Sequence, residues 1–358
     1  MIKKTVVKHR TGILCFVTIL LLCLSAVSGW AGYEEGERAY LSGDYAMAFR
    51  ELQPLAQQGH AGAQFYLGLM YSYGRGVPQD YRQAVQWSRR AAEQGDTSAQ
   101  VNLGTLYAKG QGVPQDYRQA VQWFQQAATQ GEALAQLKLG HLYEEGQGVP
   151  QDYTQAVQWY RRAAEQGKAA AQALLGKLYE QGKGIPQDYG EAGGWYRRAA
   201  EQGLAEAQAR LGAMYYKGAG IPQDDGQAAQ WSQRAAAQGF PSAQTALGTM
   251  YYLGQGVPQD YSQAVHWFQR AAEQGDAMAQ GKLSLMYYDG QGVPQDYAQA
   301  YVWGNLAATH HSPGSFRDLT VQLRDSAAKH LTSIQLASAQ ELARTWKPKS
   351  ETVPPHDQ

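Results

Sequence analysis

The chain has 358 residues, 44% hydrophobic and 17% charged, with 31 Lys+Arg balanced by 31 Asp+Glu. A chain this long buries a sizeable core, and its zero net charge excludes the broad basic surface that nucleic-acid binding requires. Its two cysteines, Cys15 and Cys23, both lie near the N-terminus, which excludes a disulfide framework or a cysteine-built metal site in the remainder.

Residues 1–31 have the form of a secretory signal. Lys3, Lys4, Lys8 and Arg10 make a positive start, Gly12 to Val27 an apolar run, and Gly29-Trp30-Ala31 offers small residues where a signal peptidase cuts. The 16-residue apolar run is short for a membrane span, and Leu20, Leu21 and Leu22 before Cys23 do not suit a lipid-anchor site. The expected location is therefore periplasmic or secreted, with no stable membrane insertion after cleavage. The chain beyond residue 31 carries 27 Lys+Arg against 31 Asp+Glu, a mildly acidic balance of −4 that again argues against nucleic acid.

Residues 33–59 read as a divergent leading repeat. Ala39-Tyr40 and Gly43-Asp44-Tyr45 mark its turn, Leu52, Leu55 and Ala56 its inner face, and Pro54 is expected to kink its second helix.

Residues 60–311 are seven copies of one unit. Pro78, Pro114, Pro150, Pro186, Pro222, Pro258 and Pro294 stand 36 residues apart, and Trp87, Trp123, Trp159, Trp195, Trp231, Trp267 and Trp303 keep the same step. A fixed period in this range predicts an all-α solenoid, whose copies bury one another's apolar faces. In the first copy Ala63, Leu67 and Tyr71 form one helical stripe, and Gly68 beside it leaves room for a neighbouring helix. Gly74 and Gly76 end that helix, and Val77-Pro78 extends the loop. Asp80 is a helix N-cap, and Gln83 is placed to complete a capping box. The second helix buries Ala84, Trp87 and Ala91, and Gly95 stops it. Two departures stand out: Ser284 replaces the glycine of the seventh copy, and Gly193 and Gly194 weaken the second helix of the fourth at about 1 kcal/mol each.

The recurring pattern AQ-x-x-LG-x-x-Y-x-x-G-x-G-VPQD-Y-x-QAV-x-W-x-x-x-AAEQG resembles the Sel-one-like repeat (SLR) family, a relative of the tetratricopeptide repeat. The resemblance implies a right-handed α-solenoid superhelix of 36-residue helical hairpins that binds protein partners. It further implies that the freely varying columns of the first helix line a concave inner face. One column reads Ser72, Ala108, Glu144, Glu180, Tyr216, Tyr252 and Tyr288; a second reads Leu69, Thr105, His141, Lys177, Ala213, Thr249 and Leu285. A third runs from Phe65 and Val101 to Thr245 and Gly281. The partner-binding candidates are Tyr216, Tyr252 and Tyr288 as an aromatic ladder, with Glu144, Glu180, His141 and Lys177 making a more acidic stretch upstream. The competing reading is that these tyrosines only pack against neighbouring helices.

At the far end, residues 315–346 read as two capping helices, with Thr332 and Gln335 as a capping box, and residues 347–358 as a disordered tail. Catalytic, cofactor and metal sites are not expected. His-Glu-x-x-His, Gly-x-Ser-x-Gly and phosphate-loop patterns are absent, and the adjacent His310 and His311 point to different helix faces. Ser326-Ala-Ala-Lys329 matches the Ser-x-x-Lys of penicillin-recognising enzymes, an activity ascribed to some cysteine-rich SLR proteins, but the companion motifs and the cysteine pairs of those relatives are missing. The expected function is an exported, non-enzymatic interaction scaffold binding a peptide or protein segment. The alternatives are a periplasmic glycan-binding protein and a β-lactamase-like enzyme.

Overall fold

The computed structural model describes residues 32–310 and 314–349; the expected leader, both cysteines, His311 and residues 350–358 lie outside them. Regular structure among the described residues is entirely helical. A leading hairpin, α1 (residues 32–42) and α2 (Tyr45–Gln57), precedes seven hairpins of 36-residue spacing. These are α3 (Ala61–Tyr73) with α4 (Tyr81–Glu93), α5 (Thr97–Lys109) with α6 (Tyr117–Thr129), α7 (Ala133–Glu145) with α8 (Tyr153–Glu165), and α9 (Ala169–Gln181) with α10 (Tyr189–Glu201). Then come α11 (Ala205–Lys217) with α12 (Asp225–Ala237), α13 (Pro241–Leu253) with α14 (Tyr261–Glu273), and α15 (Ala277–Asp289) with α16 (Tyr297–His310). Helices α17 (Ser315–Ala328) and α18 (Ser333–Thr345) close the chain. The helices form two compact units, one ending at Gln166 and the other beginning at Gly167. Each is a stack of hairpins, the all-α solenoid arrangement that the period predicts.

Local chemistry sets the helix ends. Gly74 ends α3 at φ 66°, ψ 34°, a left-handed conformation that costs glycine least. Asp80 starts α4 by accepting from the N–H groups of Arg82 and Gln83. The expected two-way capping box does not form there. The Asp80 N–H already donates to the Tyr71 carbonyl at 2.9 Å, so Gln83 has nothing to receive. The two-way box does form at Thr332 and Gln335, opening α18.

Within a hairpin the glycine stripe does what its spacing predicts. A Cβ on Gly104 would lie 2.7 Å from Phe124, one on Gly248 2.8 Å from Phe268, and one on Gly176 3.1 Å from Tyr196. The seventh copy keeps this close approach by exchanging partners. Ser284 occupies the glycine position and Gly304 the facing one, where a Cβ would meet Ser284 Oγ at 2.9 Å. Ser284 Oγ then donates to the Ala300 carbonyl at 2.7 Å. Leu67, Leu103 and Leu139 in the first unit, and Leu175, Leu211, Leu247 and Leu283 in the second, are buried behind these glycines.

Between hairpins, two devices repeat. The second loop glycine rides on the preceding copy: a Cβ on Gly76 would lie 2.5 Å from the Tyr45 carbonyl oxygen. A glutamine ladder runs alongside. Buried Gln64 donates to the Ala56 carbonyl at 3.0 Å and accepts from Gln94 Nε2 at 2.7 Å. In the second unit Gln208 repeats this with Ala200 and Gln238, at 3.0 and 2.8 Å. Each rung adds a side-chain donor to a carbonyl in the last turn of a helix, where intrahelical partners run out. One first helix touches its counterpart in the next copy in each unit, α3 with α5 and α11 with α13.

The ends are closed by side chains as well as helices. At the N-terminal hairpin, Tyr33 and Tyr66 both donate to Glu37, at 3.2 and 2.8 Å, and Arg75 lies over the rings of Tyr40, Tyr45 and Tyr73. Helix α2 continues through the exposed Pro54. At the other end α17 packs on α15 and α16, with Phe316 and Thr320 against Gly281, and α18 packs on α16. Residues 347–349, read from the sequence as the start of a disordered tail, are instead docked. Lys349 N–H donates to the Glu273 carbonyl at 2.8 Å, its Nζ pairs with the Glu273 carboxylate at 3.1 Å, and Trp346 packs edge-on against Trp303. The backbone bond and the ring contact hold this segment down.

Candidate functional site

The varying columns on the first helices meet different fates. The third column is drawn into packing: Val101, Ala173 and Thr245 are buried, and Gly281 lies under Phe316. It is a packing column and not a free one. In the other two columns each candidate residue has an identifiable neighbourhood, while Ser72 of the first column is buried and donates to the Gly68 carbonyl at 2.8 Å.

In the first unit, His141 and Glu144 converge on Tyr160, which projects from α8 and is fully buried. The Tyr160 hydroxyl donates to Glu144 Oε2 at 2.7 Å, and His141 Nδ1 lies 3.0 Å from the same hydroxyl oxygen. Since the single phenolic proton is given to Glu144, His141 donates from Nδ1. Burial, reinforced by the Glu144 carboxylate, pushes the Tyr160 phenol well above the usual range.

In the second unit, Glu180 receives the Tyr196 hydroxyl at 2.7 Å and has Arg210 Nη1 at 3.8 Å. Burial first, and the hydrogen bond to Glu180 second, raise the Tyr196 phenol as well. Lys177 is half-buried one turn before Glu180. The acidic stretch expected upstream is thus not a row of free carboxylates, because Glu144 and Glu180 each hold a buried tyrosine. The partners Tyr160 and Tyr196 were missed in the sequence. The signal was present: glutamate occupies its column only in the third and fourth copies, the same two in which tyrosine faces the glycine stripe.

The three ladder tyrosines are half-buried and differ in what they touch. Tyr252 packs against Tyr261 at 5.4 Å between centroids, and Lys282 Nζ lies 5.9 Å from its ring. Tyr288 packs against Tyr297 at 5.3 Å, and His330 of the cap stacks on Tyr297 at 4.2 Å and 10°. Both lean on the first residue of their own second helix. In the fifth copy that position is Asp225, with no ring to lean on, and Tyr216 instead donates to Gln255 Oε1 of the following loop at 2.8 Å. The corresponding Gln291 Oε1 is buried without a hydrogen-bond partner, because Tyr252 is turned toward Tyr261. Each of the three is thus tied to a neighbour, Tyr252 and Tyr288 through their rings and Tyr216 through its hydroxyl, and each stays only partly buried.

Among the described residues no three His, Cys, Asp or Glu side chains gather as a metal site would require. No helix among them is long and apolar enough to cross a membrane. Ser326 and Lys329 share the last turn of α17, where the Lys329 N–H donates to the Ser326 carbonyl at 3.2 Å. No side-chain hydrogen bond joins the Lys329 ammonium to the Ser326 hydroxyl among the described residues.

Comparison with known proteins accounts for the repeat. The model of the Sel1 repeat matches residues 61–96, 97–132, 133–168, 169–204, 205–240, 241–276 and 277–312, most of the chain. A search of curated proteins returns no match. Among solved structures, a Sel1 repeat protein from Oxalobacter formigenes is 38% identical with a TM-score of 0.60, over 67% of this chain and 96% of that one. The c5321 protein, a protective antigen of uropathogenic Escherichia coli strains with an SLR fold, is 29% identical with a TM-score of 0.53, over 91% of this chain and 93% of that one. Seven matched copies, each a helical hairpin with the same loop proline, make this chain a member of the Sel1-like repeat family.

Proposed function

We propose that the protein is an exported, non-enzymatic scaffold whose first-helix face holds a peptide or protein segment. Repeat proteins of this family serve generally as protein-interaction scaffolds. The observation that carries the reading is the division of labour within each copy. Leucine, glycine and glutamine columns repeat because they pack, while Tyr216, Tyr252, Tyr288, His141 and Lys177 occupy columns that vary on the same helices and are not fully buried. Partly exposed tyrosines already held by a neighbour suit binding, since little side-chain entropy remains to be lost. Because Glu144 and Glu180 already hold Tyr160 and Tyr196, the partner is gripped mainly by rings and by Lys282, not drawn in by net negative charge.

The test is the Tyr216→Ala/Tyr252→Ala/Tyr288→Ala variant, compared with the parent for capture of partners from envelope extract and for thermal stability. Capture is expected to fall well beyond what the melting shift explains; a lowered melting point with unchanged capture rejects the reading. Export rests on the charged and apolar composition of residues 1–31 and is supported by the likeness to an antigen. Fractionation with N-terminal sequencing of the mature chain checks it, and an intact Met1 in the cytoplasm would overturn it.

A further inference from the structure

One column of the first helices places cations against the preceding copy. It reads Asn102, Lys138, Leu174, Arg210, Ala246 and Lys282. Arg210 Nη1 lies 3.8 Å from Glu180 Oε1, thirty residues back, and Lys282 Nζ lies 5.9 Å from the ring of Tyr252, at the same step. That register puts Ala108 opposite Lys138, and a methyl group offers an ammonium nothing. Lys138 is half-buried on α7, and among the described residues no oxygen atom is hydrogen-bonded to its ammonium. The charge that acts on it is a like one, the Lys109 ammonium at the end of α5. Burial first, and Lys109 second, hold the Lys138 ammonium below the usual lysine range.

The acids nearest in sequence are engaged elsewhere. Glu144 receives the Tyr160 hydroxyl, Glu145 receives Gln147 Nε2 at 3.1 Å, and Glu132 caps the start of α7 through the Leu134 N–H. Lys138 has therefore given up part of its hydration without gaining a counter-charge, a cost that an incoming carboxylate would remove. It stands three residues before His141 on α7, so it lies beside a column of the surface proposed above.

We infer that Lys138 anchors a side-chain carboxylate, Asp or Glu, of the segment bound on the first-helix face, an inference that rests on the reading of that face as a peptide surface. The ligand's acid takes beside Lys138 the place that Glu180 holds beside Arg210. Lys109, which opposes Lys138 in the free protein, attracts the same acid, so both lysines favour the bound state. The partner's acid is thus selected by its position along the segment, since a charge pair fixes register as well as adding affinity.

The test removes the cation in one variant and supplies its missing partner in another. Lys138→Met keeps the apolar stem, and Ala108→Glu copies the Glu180–Arg210 arrangement, so one variant reports even where the other folds poorly. A random peptide library, displayed through its C-termini so that no terminal carboxylate is free, is selected on the full-length protein and on both variants. Sequences enriched on the parent are expected to share an Asp or Glu at one position. Both variants are expected to lose that preference, keep the other shared positions and melt as the parent does. A parent-selected peptide is then made with an amidated C-terminus and with glutamate or glutamine at that position. Glutamine is expected to weaken binding to the parent about tenfold or more, and binding to Lys138→Met less than about twofold. Enrichment without a shared acid, an acid preference that persists in both variants, or an equal loss on parent and Lys138→Met overturns the inference and leaves the peptide surface standing. Enrichment of no sequence on the parent rejects the peptide surface itself, and this inference with it.

Discussion

At the residue scale, the most informative side chains are two tyrosines that no motif marks. Tyr160 and Tyr196 carry a hydroxyl into a packed hairpin, and each needs the glutamate that receives it. Tyr160→Phe leaves Glu144 without that donor and is expected to cost about 1–2 kcal/mol by chemical denaturation. The same pair makes stability depend on alkaline pH. Burial raises both phenols above the ordinary 10.0, so their contribution is complete below about pH 10 and is lost as pH rises through the raised values. Melting curves from pH 9 to 12 are expected to fall less steeply in the Tyr160→Phe/Tyr196→Phe variant than in the parent. Equal slopes would show that other groups control the alkaline loss.

At the element scale, glycines that look alike in sequence do opposite things. Gly248 is a contact point, where a Cβ would meet Phe268 at 2.8 Å, and Gly248→Ala is expected to destabilise by about 1–3 kcal/mol through overpacking. Gly194 is exposed in α10 with nothing within 4 Å of a Cβ, so Gly194→Ala is expected to stabilise by about 0.5–1 kcal/mol. Thermal or urea unfolding of the two variants checks both signs. Its neighbour Gly193 is buried, and a Cβ there would lie 3.2 Å from both Ile221 and Met214, so the pair is not uniformly weak. The Ser284–Gly304 exchange makes the same point: what must be kept is a small residue on one side of the hairpin, and the chain permits it on either.

At the scale of the whole molecule, stability is a chain of neighbour interactions, and the last copy depends on its cap. Helix α18, Trp346 and the Lys349–Glu273 pair cover α16 and the end of α14. Truncation after Lys329 removes all three and exposes Trp303. It is expected to lower the melting temperature by several degrees and to increase self-association, read by calorimetry and light scattering. An unchanged melting profile would mean that residues 330–349 are an appendage and not a cap. Ile334 and Leu342 remain 81% and 50% exposed on α18, so the cap itself offers apolar surface to solvent.

The 36-residue spacing of proline and tryptophan was enough to determine the hairpin, the helix stops and the stacking of copies, because local dihedral preferences and one apolar stripe per helix recur without interruption. The choice of candidate columns was legible in the same way, by comparing copies with one another. Which varying residues are free depended on tertiary structure. Asp225 sends Tyr216 to Gln255, Tyr261 holds Tyr252, and the cap's His330 closes over Tyr297 beside Tyr288. These contacts join residues on different helices, whose distances depend on how helices pack and not on any spacing along the chain.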